Sequence, residues 1–254
     1  MKPRPPWLTQ TLRVLALLAL CTVALQLVFV ARIALMNVVD PQSTTFQRSE
    51  AWRLLSEKGQ VAWSQTWVDA DRISPNLKRA VIASEDAGFS EHGGVDWDAI
   101  EKAWERNQRA EDRVEKLKQR QPARPGVAQR VPKVVGGSTI SQQLAKNLFL
   151  SGERSVLRKA QELVLTLALE ALLPKARLLE IYLNNVEWGE GLFGAQAAAR
   201  HYFRVDASRL SVAQAARLAV MLPAPKRFEK NPASPYVLGR SATIAARMGD
   251  VELP

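Results

Sequence analysis

Glu85 and Asp86 stand side by side ahead of Gly88, Phe89, His92 and Gly94. Further along, Gly136-Gly137-Ser138-Thr139-Ile140-Ser141-Gln142-Gln143-Leu144-Ala145-Lys146-Asn147 joins glycines, hydroxyls, amides and a cation, and Arg158-Lys159-Ala160-Gln161-Glu162 follows. A carboxylate where an apolar helix meets a turn is partly desolvated, which raises its pKa toward the range useful to a general base or acid. Asp86 beside Glu85 adds like charge, which pushes the same way. Backbone N–H groups at a Gly-Gly-Ser helix start form a natural anion site. Gln143 and Lys146, three apart, add an amide and a point charge on one helical face. Taken together, these groups can accept a proton from a hydroxyl and hold a departing phosphate, the chemistry of glycosyl transfer from a phosphate-linked sugar.

Each cluster also has a plainer reading. Glu85 and Asp86 read as exposed charges at a helix C-terminus, although the helix macrodipole disfavours negative charge there. Ser138 reads as an ordinary N-cap ahead of a surface helix. Arg158 and Lys159 lie four and three residues before Glu162, the spacing of structural ion pairs worth only about 0.3–0.5 kcal/mol each.

The elements that must position these residues are helical. Ser74-Pro75 is an N-cap with proline at the first helical position, and Leu77, Ala80, Val81 and Ser84 form one face of the helix that delivers Glu85 and Asp86. A polar helix is expected from Asp98 to about Gln119, ending in a loop at Gln121–Gly126. Ser138 is expected to cap a helix to about Phe149, and Ser155 another through Leu172 ahead of Pro174. Lys175–Asn184 follows, then a glycine-rich turn at Glu187–Gly191. Ser211 with Gln214 makes a capping box for an apolar helix to Leu222, and a last helix is expected over Pro235–Met248. Period-2 alternation is nearly absent, so the fold class is all-α. No internal repeat is evident.

The N-terminal region reads as a membrane anchor. Val14–Ala31 carries no charge, and at about 1.5 Å per residue its length approaches the thickness of a bilayer core. Lys2, Arg4 and Arg13 precede it and no acidic residue occurs before Asp40, so the short N-terminus is expected in the cytoplasm and the remainder outside. The apolar run exceeds a normal signal-peptide core and lacks a clean small-x-small cleavage site, which favours an uncleaved anchor. The expected organisation is a cytoplasmic end at 1–13, an anchor at 14–36, a juxtamembrane connector at 37–72 with a short helix around Ser49–Lys58, and a catalytic domain at 73–254.

The one cysteine, Cys21, lies in the anchor, so the exported part has neither a disulfide nor a cysteine metal site. With only His92 and His201, no spacing resembles a metal-ligand set. The net charge is +10, and residues 102–135 hold ten Lys/Arg against four Asp/Glu. That run reads first as a solvated helix face and second as a contact for anionic head groups. Nucleic acid is a poor partner, since the run lacks interleaved aromatics.

Five ordered motifs carry a resemblance to the monofunctional biosynthetic peptidoglycan glycosyltransferases of glycosyltransferase family 51, whose domain also occurs in class A penicillin-binding proteins. They are Glu85-Asp86-x-x-Phe89-x-x-His92-x-Gly94; the Gly136–Lys146 segment; Arg158-Lys159-x-x-Glu162; Lys175-x-x-Leu178-Leu179-Glu180-x-Tyr182-Leu183-Asn184; and Leu218-Ala219-x-x-Leu222-Pro223 leading to Asn231-Pro232. The resemblance spans roughly residues 70–235. It implies a lysozyme-like α-helical domain with a smaller membrane-facing lobe, and Glu85 as the base that deprotonates the acceptor 4-hydroxyl. It implies Glu162 as a second catalytic carboxylate, and a substrate and pyrophosphate site drawn from Asp86, Ser138, Thr139, Gln143, Lys146, Arg158 and Lys159. The implied substrates are lipid II and a polyprenyl-pyrophosphate glycan, with other cell-wall synthesis proteins as further partners. It implies no tightly bound cofactor or protein-held metal, although Mg2+ or Mn2+ can bridge the donor pyrophosphate. His92 is expected to order the loop after Glu85, and Tyr182 and Asn184 to be scaffold. Ser141 stands where the family more often has threonine, and the basic stretch is longer than usual. A lytic lysozyme-like enzyme and a non-catalytic membrane-tethered scaffold are the competing readings.

Overall fold

The computed structural model describes residues 6–120, 136–153 and 155–254. The expected loop at Gln121–Gly126 lies outside the described residues. Eleven helices and a small sheet account for the described chain. The first is α1, Pro6–Leu35, of which Trp7–Leu35 is long and apolar enough to cross a membrane. Most of its side chains are exposed, but at its C-terminal end Ile33 and Met36 enter the protein core.

The stretch expected as a connector holds helix α2, Thr45–Lys58, opened by a capping box between Thr44 and Gln47 and closed by Gly59 in the left-handed region. The Thr45 hydroxyl donates to Leu148 O at 3.0 Å, and Gln47 Nε2 reaches the Asn185 side-chain oxygen at 3.3 Å, so α2 is tied into the domain. Helix α3, Pro75–Glu85, begins at Ser74 and proline as its sequence predicts, and buries Leu77, Ala80, Val81, Ile82 and Ala83. Helix α4 runs Trp97–Arg120, close to the expected span. Helix α5, Ile140–Phe149, starts one residue later than expected, because Thr139 rather than Ser138 is its N-cap. Thr139 wins because its partner at the third helical position, Gln142, can close a capping box.

Helix α6, Val156–Leu172, is capped by Ser155, and α7 spans Lys175–Asn185. α7 is buried from Leu178 onward apart from the partly exposed Glu180, and packs on α5, α6 and α8, Ala195–Phe203. Between α7 and α8 lies the chief departure from the expected all-helical chain. Glu187–Gly189 and Leu192–Phe193 form an antiparallel pair, β2 and β3, and β1 at Ser64–Gln65 adds to β3 in parallel. Strands of two and three residues are too short to show alternation, so the pattern could not reveal them. Gly191 is required at the hairpin: its φ is 68°, and a Cβ there would lie 2.0 Å from Ala62 O.

Helix α9, Val212–Met221, is opened by the expected Ser211–Gln214 box and packs against both α3 and α11, Pro235–Arg247; the short α10, Pro225–Phe228, intervenes. One hydrophobic core runs from Ile33 and Met36 through α3, α5, α6 and α7 to α9 and α11. Where α2, β2 and α10 meet, a second polar cluster forms. Glu50 takes hydrogen bonds from Arg53 and Lys226, Arg53 and Lys58 pair with Glu190, and Glu229 accepts from Glu190 N.

Candidate active site

The site forms where the end of α3, the start of α5 and the first turns of α6 converge on α7. Glu85 is the last residue of α3, partly buried, and its Oε2 accepts from Gln143 Nε2 at 3.0 Å. The same amide accepts, through Oε1, from the Tyr182 hydroxyl at 2.9 Å. Tyr182 thus holds Gln143, and Gln143 holds Glu85. Burial pushes the Glu85 carboxyl up and the Asp86 charge adds to this, while the Gln143 hydrogen bond and Lys146 pull it back. The Tyr182 phenol, fully enclosed and facing both acids, is pushed well up and stays a neutral donor. Sequence reading gave Gln143 an anion-binding role and Tyr182 a scaffold role. In the structure the two form a chain of hydrogen bonds that ends on Glu85, a link their spacing in sequence does not reveal.

Asp86 points away from Glu85 into the protein. Its Oδ1 lies 2.8 Å from His92 Nε2, and its Oδ2 accepts from Ile140 N at 2.9 Å. With the Gly94 amide donating to His92 Nδ1 at 3.1 Å, the imidazole takes the tautomer protonated on Nε2. Lys175 Nζ donates to His92 O at 2.6 Å. His92 therefore orders this loop, as expected. Asp86 is a staple between α3 and α5, with both oxygens committed inside the protein. Thr139 is likewise enclosed, accepting from Gln142 N and donating to Gly94 O at 2.7 Å. Gly94 has φ 93° and presses so closely on Thr166 that a Cβ would lie 2.8 Å from its methyl. Ser138 is exposed. Ser141 is buried and donates to Glu170 at 2.5 Å, and Glu170 in turn pairs with Lys175 at 2.9 Å. Asn184 clamps Val68 through both its backbone groups at 2.9 Å, a scaffold role.

On α6, Glu162 is buried and paired with two cations, Arg158 at 2.9 Å and Lys159. Lys146 completes the group. Its ammonium reaches solvent, but the surrounding walls desolvate it, which lowers its pKa; repulsion from Arg158 and Lys159 acts the same way, and Glu162 and Glu85 oppose it. Lys146 therefore lies within electrostatic range of both carboxylates and both α6 cations. Arg158 Nε is buried without a hydrogen-bond partner. A buried donor left unmet costs about 1–3 kcal/mol, as Arg217 Nε does elsewhere in the protein.

The chain belongs to the transglycosylase family.

Its Transglycosylase profile matches residues 53–115 and 124–249. A protein of Burkholderia thailandensis named biosynthetic peptidoglycan transglycosylase is 53% identical over 231 residues, covering 91% of this chain and 82% of its own. One of the same name from Paraburkholderia xenovorans is 50% identical over 239 residues, covering 94% and 91%. A third, from Paraburkholderia phytofirmans, is 49% identical over 239 residues, covering 94% and 91%. The lysozyme-like helical fold is that of a transglycosylase domain.

Among the described residues, Asp86, His92 and Asp96 form a group whose potential ligand atoms lie within 4.8 Å of one another. Their chemistry does not suit a protein-held ion. Both Asp86 oxygens and both His92 nitrogens are already hydrogen-bonded, and Asp96 Oδ1 caps α4 by accepting from Ala99 N at 2.8 Å.

Proposed function

We propose that this chain polymerises peptidoglycan glycan strands, taking the lipid-linked growing glycan as donor and lipid II as acceptor. The observation that carries the reading is the position of Lys146, shared electrostatically between a desolvated, amide-held Glu85 and the Arg158–Lys159–Glu162 cluster. Glu85 removes the proton from the acceptor 4-hydroxyl, and the freed oxygen attacks the anomeric carbon of the donor. The bond to pyrophosphate breaks with inversion, giving a β-1,4 link and releasing undecaprenyl diphosphate. Negative charge grows on the departing pyrophosphate, and Lys146, Arg158 and Lys159 are the cations that would offset it. Glu162 keeps the two α6 cations in place. Ser138, exposed at the mouth of α5, is the site hydroxyl free to meet substrate, while Asp86 and Thr139 act by holding the frame.

A lytic reaction would need an activated water in place of the leaving pyrophosphate's cradle, and three cations grouped around Glu162 favour transfer. The anchor helix fits a reaction whose substrates are both lipids. The basic residues before α1 and the first acidic residue at Asp40 support a single-pass protein of the bacterial inner membrane, N-terminus inside and catalytic domain in the periplasm. The test is conversion of purified lipid II into glycan strands by the full chain. Strands from wild type and none from Glu85→Gln support the reading, and full polymerisation by Glu85→Gln overturns it.

A further inference from the structure

The anchor does not simply lead into the domain; it lies alongside α6. Gln26 Nε2 donates to Gln161 Oε1 at 2.9 Å, and Gln161 Nε2 donates back to Gln26 Oε1 at 3.0 Å. Higher up, Asn37 Nδ2 donates to Leu172 O at 3.0 Å. Both pairs are separated by 135 residues, so α1 and α6 run parallel in a single register. Asn37, with Arg177 donating to Met36 O at 2.8 Å and pairing with Asp40 at 2.7 Å, pins the upper end. The amide pair pins a point about 16 Å lower, taking 1.5 Å of rise per residue.

The amide pair sits where the charged start of α6, with Arg158, Lys159 and Glu162, meets an apolar surface. Leu25, Leu27 and Val28 of α1 and Val164 and Leu167 of α6 are exposed around it, a surface suited to lipid. Within the uncharged run, Thr22 is satisfied by its own helix through Leu18 O, whereas Gln26 needs a partner on another element. An amide facing lipid is unfavourable without a partner, because no water is there to satisfy it. The remaining contacts here, such as Phe29 edge-on to Phe149 at 5.4 Å, set distance without setting height. Two amides bonded both ways permit one register only.

Gln161 directly precedes Glu162 and lies three residues after Arg158. We propose that Gln26 and Gln161 are positioning residues, a clasp that fixes the tilt of α6 against the anchor and so holds the Arg158–Lys159–Glu162 cluster at the height of a lipid-borne pyrophosphate. Ile33 in the core, with Phe29 and Arg32 against Phe149, holds the upper part of this contact, and the amide pair carries it down to the start of α6. The inference rests on the polymerase reading and deepens it.

The full chain in phospholipid vesicles with lipid II tests it. Gln26→Leu and Gln161→Leu should each raise KM for lipid II about three- to tenfold, with kcat within about twofold and the thermal midpoint unchanged. The double variant should be no worse than either single, since it leaves no orphaned amide. In a Cys21→Ser chain that also carries Glu85→Gln, Gln26→Cys with Gln161→Cys should be joined within one chain, in the bilayer, by a bismaleimide whose reach matches two glutamine side chains. Wild-type KM in both singles, additive losses in the double, or no cross-link overturns the clasp. Failure of the wild-type chain to make polymer overturns the polymerase reading instead, and the cross-link, which needs no turnover, still decides the contact.

Discussion

Two regions of this molecule are built from the same residue types and behave differently. At the corner of α2, β2 and α10, Glu50, Glu57, Glu187, Glu190 and Glu229 outnumber Arg53, Lys58 and Lys226, and each of these cations already holds a carboxylate. In the cleft, Lys146, Arg158 and Lys159 outnumber Glu85 and Glu162, and one guanidinium nitrogen is left without a partner. The corner pairs its cations and keeps an excess of acid, with Glu187 Oε1 buried and without a hydrogen bond. The cleft has the opposite balance among these side chains, which suits an anionic substrate. Burial raises a glutamate in each region: Glu187 to about 7, and Glu85 upward. Only Glu85 accepts from a side-chain amide, that of Gln143. A raised carboxylate pKa is therefore insufficient to mark a catalyst; the cations beyond it decide.

Removing charge from one region at a time would break this contrast if it is wrong. Glu85→Gln should lower lipid II polymerisation by about 10²–10⁴-fold, the usual contribution of a general base, as read in a strand-forming assay. Lys146→Ala should cost about 10²-fold in kcat. It should also move the acidic limb of the pH–rate profile to higher pH. The base works when ionised, so activity rises with pH through the Glu85 pKa, and loss of Lys146 removes a charge that holds that pKa down. An unmoved limb would mean that Lys146 does not sense Glu85. Tyr182→Phe should slow turnover about fivefold, the worth of roughly 1 kcal/mol for one hydrogen bond, with substrate KM unchanged.

The corner supplies the control. Glu187→Gln should leave polymerisation unchanged and alter only the dependence of thermal stability on pH. The folded-state pKa of Glu187, about 7, lies above its ordinary value of 4.5. Its favourable contribution is thus complete below about 4.5 and lost as pH rises through 7, so the variant should lose that decline. A melting series from pH 4 to 8 measures it, and an activity loss in this variant would dissolve the distinction between the two regions.

What the sequence showed of this comparison follows from range. Ser74-Pro75, Ser155 and the Ser211–Gln214 box marked helix starts because a cap is settled within four residues. The same local logic misplaced one cap by a residue, since Ser138 and Thr139 are adjacent hydroxyls and only the position of Gln142 separates them. Glu85, Glu162 and the cations were legible as types at spacings. Their connections were not: Tyr182 meets Gln143 only because α7 passes beneath α5, and Gln161 meets Gln26 only because α6 lies along the anchor. Asp86, next to Glu85 in sequence, read as part of its charge pair, yet the helix ends between them and turns Asp86 inward.

That inward turn has a consequence for how the protein tolerates change. Asp86 reaches Ile140 across 54 positions of chain, and Thr139 reaches Gly94 across 45, so two short bonds join the end of α3, where Glu85 stands, to the start of α5. The polypeptide between those bonds does not have to measure that distance. Length and composition beyond the first turns of α4 are therefore uncoupled from the spacing of the reacting groups. Lengthening a loop costs only the slow logarithmic rise of closure entropy, about 0.6 kcal/mol per doubling. A reporter or affinity sequence inserted there should travel with a working enzyme, which makes this region the natural port for engineering it.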